Sequence, residues 1–473
     1  MGLREVRAGI GTLSVAHRWW YVAATFAYLI FLVLIPPFQT NDEDAHWMRL
    51  WTTASGGLTC NQPIPPSASI FIGAAHYYPV RAEGKHYQFA FIDEELAVVG
   101  AAGEARAGGA TCLYMPISYL LPAVAARLVA SPYDAGKPSH MFHAFYAARG
   151  CNLLLLVFGT LLFLALVPQY RNLTLLLYSL PMLMQQGISV NQESTITLLF
   201  FVLMIFWWRQ STLAGAVAMA GLIALLSLAK PVYLVFYLVW LCYLIRLRQT
   251  QARSLRWLFA MLPMAFVPVV IWLLWTKLVV SGSQQYLPSW VDMPGQIQYL
   301  KTHPMMLPKV ILIQLADLFG REHLRGGWIS VLGVLGWADF EIGNRAYYCL
   351  LLAAVLAVAA DLGAPVAAVA SEVRPRWQRI VPFWTFFLII PAIAVAMYIQ
   401  FSGVGSPYAL GTSGRYLHIP YFGMLAFGIE TARSRWSFSR WQSVAKVMPW
   451  ICMALCAVAA HDAIGAIWTR FYG

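Results

Sequence analysis

The chain has 473 residues, of which 60% are hydrophobic and only 11% are charged, and its formal net charge is +12 at pH 7. Apolar runs of roughly 20 residues, the length that a bilayer requires of a helix, recur from Trp19 to Trp468. The composition excludes a soluble globular protein and predicts an all-α polytopic membrane protein, with one integral membrane domain over residues 1–473. The basic excess does not indicate a nucleic-acid partner, because Lys and Arg accumulate in cytoplasmic loops and near anionic lipid.

The N-terminal segment predicts an uncleaved signal anchor. Arg4, Arg7 and Arg18 precede the first apolar run, which ends at Pro36 and Pro37 without a small-residue cleavage site. The N-terminus is therefore expected on the cytoplasmic side. Hydropathy then predicts spans at 19–37, 146–167, 172–188, 193–208, 212–229, 232–245, 257–279, 347–360, 380–399, 416–429 and 447–468.

Positive charge orients these spans. The three densest basic loops begin near Arg246, Arg374 and Arg433, and all three are expected in the cytoplasm. With this parity the apolar segment 112–130, which two prolines interrupt, is expected as a juxtamembrane or re-entrant helix on the outer face. If it crosses instead, one of the later helix pairs must be a single bent segment. The count is then about eleven spans, within a range of ten to thirteen. We expect a multi-pass protein of the bacterial inner membrane.

Two large loops, 38–145 and 281–345, are then predicted on the outer, periplasmic face. Cys60 and Cys112 both lie in the first loop, where they either form a disulfide or remain free thiols. The second loop combines aromatic and charged side chains: Trp290, Asp292, His303, Asp317, Arg321, Glu322, His323, Arg325, Trp328, Trp337 and Asp339. This mixture suits either sugar stacking and acceptor recognition, with Arg325 and Asp339 as candidate substrate ligands, or an interfacial aromatic belt. The histidine spacing matches no known ligand pattern, so no metal site or cofactor is predicted, although a divalent cation stays compatible.

Three consecutive carboxylates, Asp42, Glu43 and Asp44, follow the first span. Acidic side chains are costly near hydrocarbon, so such a cluster indicates a functional site. Two other interpretations stay open. One is a helix N-cap with solvated charges. The other is the Asp-x-Asp motif of metal-dependent sugar transferases, although the sequence contains no nucleotide-binding motif.

The residues after the cluster predict an interfacial helix with Asp42 as its N-cap. Asp42, His46 and Arg49 share one face of this helix at i, i+4 and i+7 spacing. The opposite, apolar face is expected in the headgroup layer of the membrane. That face consists of Trp47, Leu50 and Trp51.

The string Pro-Pro-x-Gln-x-x-Asp-Glu-x-x-His at 36–46 resembles the hallmark of a family of bacterial membrane proteins allied to the GT-C glycosyltransferases. Later segments resemble further signatures in the same order, at 114–119, 181–193, 333–339 and 414–420. The second of these has Glu193 where Asp is expected. The resemblance covers most of the chain and implies a GT-C-like fold, with transfer of a sugar from a polyprenyl-phosphate-linked donor on the outer face.

The residues fit such chemistry. An acceptor hydroxyl that attacks an anomeric carbon must lose its proton, which a carboxylate can accept. Asp42 is the candidate base, with Glu43 as partner or alternative. We expect an inverting glycosyltransferase acting on a periplasmic glycan or lipid-linked acceptor. A transporter or flippase of lipid-linked sugars and an O-antigen ligase or polymerase are the alternatives.

A phosphate leaving group needs cations, because its negative charge grows as it departs. Lys230 is the first candidate, because the positive-inside rule does not account for a lysine in an outer turn. Arg415 is the second, because a guanidinium binds phosphate bidentately. Snorkelling at a helix end and interface anchoring are the open alternatives for these two. The remaining candidate substrate ligands are Asp44, His46, Arg49, Tyr114, Asn191, Glu193 and Tyr416, although Asn191 suits a plain N-cap equally well.

Overall fold

A computed structural model describes residues 3–60, 63–75, 80, 86–87, 105–106, 110–130, 138–209, 212–251, 255–283, 290–320, 327–364, 375–434 and 445–473. The candidate ligand Arg325 lies outside the described residues, as do Arg321, Glu322 and His323. Helices dominate the described ranges, which confirms an all-α membrane protein.

The helices of the first half are α1 Leu3–Gly11, α2 Val15–Leu34, α3 Glu43–Ala54, α4 Pro66–Ala74, α5 Leu120–Val129, α6 Pro138–Leu166, α7 Arg171–Tyr178, α8 Pro181–Gly187, α9 Glu193–Arg209 and α10 Leu213–Ala229. Those of the second half are α11 Tyr237–Thr250, α12 Leu255–Met261, α13 Pro263–Ser283, α14 Met293–Thr302, α15 Met306–Asp317, α16 Trp328–Gly333, α17 Asn344–Gly363, α18 Trp377–Gln400, α19 His418–Arg433 and α20 Met448–Phe471. Two antiparallel strand pairs accompany them, β1 Pro63–Ile64 with β2 Ala105–Arg106 and β3 Val334–Leu335 with β4 Phe340–Glu341.

Six described helical segments are long and apolar enough to cross a membrane. They are Val15–Leu34, His140–Leu166, Pro231–Thr250, Asn344–Gly363, Trp377–Gln400 and Met448–Phe471. Shorter apolar helices occur at Pro116–Val129, Leu213–Ala229 and Phe259–Trp275. Six candidate spans among the described residues agree with a multi-pass membrane protein, whereas the count of eleven stays a prediction.

Arginine contacts identify one end of the helical body. Arg171 donates to the carbonyl of Thr12, Arg246 to that of Trp207, and Arg433 to that of Gln169. These contacts join the ends of α1, α7, α9, α11 and α19, so basic residues from separate loops gather at this basic end. The acidic cluster lies at the opposite end, which we call the Asp42 end.

The predicted span 172–188 is wrong as a single helix, because α7 and α8 divide it. Leu180 separates them with extended backbone (φ −71°, ψ 126°), as expected for a residue that precedes a proline. The carboxylate of Asp361 caps α7 by accepting from the backbone N–H groups of Asn172 and Leu173. The predicted span 257–279 is likewise divided, into α12 and α13, just before Pro263.

The sequence predicted that the apolar face of α3 lies in the headgroup layer of the membrane, and this prediction is wrong. Trp47, Leu50 and Trp51 are fully buried in a second core beside the main helical bundle. The rings of Phe71 and Phe145 pack edge-on against Trp47, at centroid distances of 5.8 and 5.4 Å. The helix is amphipathic because it covers protein on one side, not lipid.

Segment 112–130 stays at the Asp42 end. Tyr114 accepts from Arg49 of α3, Ser118 donates to Gln192, and Arg127 donates to the carbonyl of Ala54. These bonds tie both ends of the segment to the layer that contains α3. The segment therefore lies along the Asp42 end, as a juxtamembrane helix would, and the predicted parity stays a prediction.

Candidate functional site

A strained turn leads from the first span into α3. Phe38 and Asp42 both have left-handed backbone, with φ values of 63° and 60°. Asp tolerates this conformation better than most residues do. Asp42 occupies the predicted N-cap position, but its side chain does not cap the helix, and its backbone carbonyl accepts from the N–H of His46. The carboxylate is thereby left for another partner.

That partner is Arg415. Its Nη2 lies 2.5 Å from Oδ2 of Asp42, and its Nη1 donates to the carbonyl of Asn41 at 3.0 Å. The Arg415 side chain is 6% exposed and that of Asp42 is 47% exposed. The ion pair therefore has a buried cation and a carboxylate that solvent or a ligand can reach.

Arg415 belongs to a 3₁₀ turn, Gly414–Tyr416, that is wedged against α16. A Cβ atom at Gly414 would collide with the backbone of Ser330 and Val331, so only glycine fits there. The adjacent Tyr416 hydroxyl accepts from Nη2 of Arg415 at 2.8 Å. This close packing fixes the guanidinium beside the start of α3.

Lys230 lies in the turn that follows α10 and forms an ion pair with Glu193, at the start of α9. Its Nζ is 4.3 Å from the centroid of the Tyr416 ring, and the guanidinium carbon of Arg415 is 4.9 Å from the same centroid. Burial lowers the pKa of Lys230, against the opposing effect of Glu193. Two buried cations thus share one aromatic ring next to Asp42.

Three rings, those of His46, Tyr114 and Tyr119, form an aromatic wall next to Asp42 at the start of α3. His46 Nδ1 shares a 2.6 Å hydrogen bond with the hydroxyl of Tyr119, and the Tyr114 ring stacks on His46 at 6.3 Å with an interplanar angle of 5°. Burial lowers the pKa of His46 to about 3, so the imidazole is neutral near pH 7. Tyr119 was not predicted, although it ends the same 114–119 motif as Tyr114.

Glu43 has a different environment from its neighbour. Both of its oxygens bond to Arg149, at 2.9 and 2.7 Å, and both side chains are 0% exposed. The same carboxylate accepts from the backbone N–H groups of Phe38 and Val190. Arg149 also donates to the carbonyls of residues 35 and 36. This buried pair joins α2, α3, α6 and the start of α9.

Arg149 is not among the predicted site residues. Its signal was present, since it is an arginine inside the apolar run 146–167, where a charge demands a partner. The sequence gives no indication that the partner is Glu43 in particular.

Other predicted ligands have structural contacts. Arg49 donates to the carbonyls of Tyr114 and Leu58. The open alternative for the cysteines is resolved, because Cys60 and Cys112 form a disulfide beside these carbonyls. Arg49 and the disulfide together hold the wall that carries Tyr114.

Asn191 has the local capping role that the sequence left open. Its Oδ1 accepts from the N–H of Glu193, and its Nδ2 donates to Gln186. Asp44, in the first turn of α3, is half-buried and favours the helix dipole.

Asp339 lies in the β3–β4 turn and pairs with Arg470, with a 2.9 Å contact to its Nε. The same turn approaches α3, because Trp337 Nε1 donates to the carbonyl of Phe38 at 2.9 Å. Asp339 also accepts from the backbone N–H of Trp337, so it helps to hold this turn beside the acidic cluster.

Within the ranges that the structure describes, no group of three or more His, Cys, Asp and Glu side chains could hold a metal ion. The chemically distinctive feature is the arrangement of Asp42, Arg415, Lys230, Glu193 and Tyr416, which we call the charge site. It combines a reachable carboxylate with two buried cations.

The residues of the charge site lie within the part of the chain that a sequence-family model matches. The model of the family described as "Predicted membrane protein (DUF2142)" matches residues 25–420. The chain belongs to this family. No curated protein and no solved structure matches the chain. The DUF2142 match includes every member of the charge site and ends two residues after His418, before α20.

Proposed function

We propose that this protein is a membrane glycosyltransferase that moves a sugar from a polyprenyl-phosphate-linked donor to a hydroxyl acceptor at the Asp42 end. The observation that carries the proposal is the ion pair between Asp42 and Arg415, next to Lys230. A half-exposed carboxylate suits proton removal, and two buried cations suit a phosphate. Lys230 and Arg415 come from distant parts of the chain and lie over one ring, and each pairs with an acidic residue, Glu193 or Asp42.

The proposed step is a displacement at the anomeric carbon. The acceptor oxygen forms the new glycosidic bond while its proton passes to Asp42. The bond from the anomeric carbon to the phosphate oxygen breaks, and its electron pair remains on the polyprenyl phosphate. Arg415 and Lys230 stabilise that increased charge. Attack opposite the leaving group inverts the anomeric centre.

Asp42 is assigned as the base in preference to Glu43. A general base must come within hydrogen-bond reach of the acceptor proton. Glu43 is fully enclosed and already accepts from Arg149 and two backbone N–H groups. Asp42 is 47% exposed, so an acceptor hydroxyl can come within reach of its carboxylate while Arg415 stays on Oδ2.

The periplasmic location and the GT-C-like arrangement of about eleven spans belong to the same proposal. Arginines gather at the basic end, which supports a cytoplasmic assignment for that end. The disulfide between Cys60 and Cys112 lies at the Asp42 end, which supports an oxidising compartment there.

One observation favours the alternative of a transporter for lipid-linked sugars. The pair α7 and α8 forms a broken segment inside the bundle, and discontinuous helices are typical of transporters. At this break, however, Ser179 accepts from Trp20 Nε1 and donates to the carbonyl of Leu175. The charge site lies beyond the end of the segment, so we rank transfer above transport.

The test uses purified protein in nanodiscs and a panel of polyprenyl-phosphate sugars. Wild type should release polyprenyl phosphate and form a glycoside in equal amounts. Asp42→Asn should reduce kcat by about 10²–10⁴-fold. The matched control is Glu5→Gln, an exposed carboxylate-to-amide change in α1, which should have wild-type activity. No turnover of any donor by wild type, or full activity of Asp42→Asn, would overturn the proposal.

A further inference from the structure

Helix α15 has one buried face and one exposed face, and both are largely apolar. Val310 and Gln314 are 0% and 2% exposed, and Leu318, just past the end of the helix, is 7% exposed. These residues recur every four positions, so they lie on one side of the helix. On the other side, Leu312 is 66% exposed and Phe319 is 87% exposed. Burial within the protein therefore accounts for only one of the two faces.

The buried face fixes how α15 lies against the helical body. The helix packs along α18, which is one of the six candidate membrane spans. Near the start of α15, Val310 packs with Tyr398, close to the end of α18, and with Ala409 in the loop after α18. Past the end of α15, Leu318 belongs to the main core. The helix therefore runs inward along a span, and its exposed apolar face points away from the protein.

The loop after α18 holds this arrangement in place. Gln296 of α14 is fully buried, and its Oε1 accepts from the N–H of Gly405 at 3.0 Å. Ser402 accepts from the N–H of Leu410 and so closes the same loop. Helices α14 and α15 and the loop thus form one packed unit. The helix cannot rotate to hide its apolar face without breaking these contacts.

Basic side chains lie at one end of the apolar face. Lys309 is exposed one turn before Leu312, and Lys301 is in the last turn of α14 and exposed. From residue 310 to residue 320 the exposed side chains are those of Leu312, Ala316 and Phe319. A lysine keeps its apolar stem among apolar groups while its ammonium reaches lipid headgroups. The order of residues along α15 is therefore that of a helix passing from headgroups into acyl chains.

We propose that the exposed face of α15 docks into the membrane leaflet at the Asp42 end. Lys301 and Lys309 then lie at anionic headgroups, and Leu312, Ala316 and Phe319 lie among acyl chains. Charge complementarity favours lipid as the occupant, because an anionic leaflet surface attracts lysines close to it. The apolar side chains gain free energy by leaving water. Part of the second predicted outer loop is thereby placed in lipid. These residues lie outside the charge site, so the docking holds whether or not the protein transfers a sugar.

The first experiment measures depth by fluorescence quenching. Lys309→Cys, Leu312→Cys and Phe319→Cys are prepared one at a time in protein whose five free cysteines are replaced by serine, and each carries a bimane label. The nanodiscs contain lipids that are brominated at different depths of the acyl chain. We expect strong quenching at 312 and 319. The label at 319 should lie deeper than the label at 309 by roughly 5–15 Å, where the upper value is the full helical rise over ten residues.

Two positions serve as matched controls. Phe158→Cys, which is 59% exposed in the candidate span His140–Leu166, reports lipid, and Ser434→Cys, exposed after α19, reports water. Ala316→Cys replaces Leu312→Cys if thermal unfolding shows that the latter does not fold. Quenching of the α15 labels no stronger than that of Ser434→Cys would overturn the proposal. Shielding of these labels from both brominated lipid and aqueous iodide would also overturn it, because a second protein chain would then cover the face.

The second experiment tests the two lysines. The nanodiscs contain equal amounts of anionic and zwitterionic lipid, only one of which is brominated, and the label is at position 312. We expect the local preference for anionic lipid to be about fivefold for each effective lysine. Lys301→Gln combined with Lys309→Gln should abolish this preference, whereas Lys446→Gln, exposed near the start of α20, should leave it unchanged. Equal quenching by the two lipids in protein with both lysines would overturn the headgroup assignment. Neither experiment requires sugar transfer, so docking and the proposed function can fail separately.

Discussion

Asp42 and Glu43 are neighbours in the sequence, and each pairs with an arginine, but the two pairs differ in almost every other respect. The Glu43–Arg149 pair is fully enclosed, and its remaining hydrogen-bonding capacity is used by backbone groups of residues 35, 36, 38 and 190. The Asp42–Arg415 pair has one buried partner and one that is 47% exposed. Adjacent carboxylates can therefore have opposite roles, since burial and not residue type decides between an anchor and a reactive group.

The largest effect should come from breaking the enclosed pair. Glu43→Gln leaves the Arg149 charge buried without a compensating anion, which costs about 3–5 kcal/mol. We expect Glu43→Gln to lose most folded protein in detergent, measured by thermal unfolding and size-exclusion chromatography, while Asp42→Asn unfolds within a few degrees of wild type. Equal stability of the two variants would remove the distinction between anchor and reactive group.

The disulfide should have the next largest effect. Replacing both Cys60 and Cys112 by Ser frees the chain between them in the unfolded state, which costs about 2–4 kcal/mol. The thermal midpoint should fall, and reductant should lower the wild-type midpoint in the same way. Cys151→Ser is the matched control, because Cys151 is a free thiol outside this loop. An unchanged midpoint in the double variant would show that Arg49 alone holds the wall.

Arg415→Lys tests the half-exposed pair without removing its charge. Lysine carries its donors on one nitrogen, so it cannot contact the Asn41 carbonyl and the Asp42 carboxylate from two separate nitrogens as the guanidinium does. Weaker stabilisation of the departing phosphate by about 1.5–3 kcal/mol corresponds to a fall in kcat/KM of about 10–100-fold. The thermal midpoint should fall by only a few degrees, because Lys keeps the buried charge beside Asp42. A loss of stability instead of activity would make Arg415 a second anchor.

The smallest effect concerns pH. Lys230 lies between α10 and the turn that begins at Pro231, and burial lowers its pKa. Lys is charged below its pKa, so phosphate affinity should be full below the lowered pKa and be lost as pH rises through it. Measuring the Kd of polyprenyl phosphate from about pH 7 to about pH 10 should reveal this loss, and Lys230→Arg should remove it. A flat wild-type profile would contradict the lowered pKa.

The sequence predicts the membrane class and the charge site because both depend on rare residues in apolar surroundings. Lys230 and Arg415 stand out for this reason, and the structure brings them together beside Asp42. The sequence does not separate Asp42 from Glu43, because their different burial follows from the left-handed backbone at Asp42 and from Arg149, which is 106 residues away from Glu43.

Two further differences have local causes. Pro181 divides the predicted span 172–188, because the helical conformation is unfavourable for the residue before a proline. A hydropathy profile does not detect this restriction. Trp47 and Trp51 suit a headgroup layer and a protein core equally, so their place in a core depends on α4 and α6. Tertiary packing, and not local pattern, decided that case.

The separation of partners along the chain sets an order of assembly. Arg149 is synthesised 106 residues after Glu43, whereas Arg415 is synthesised 373 residues after Asp42. The Glu43–Arg149 pair can therefore form before most of the protein has been translated. The charge site forms only near the end of translation. We expect a chain that stops before residue 415 to form the Glu43–Arg149 anchor but to lack the Arg415 half of the charge site, so that an unfinished protein can meet a phosphate only with Lys230.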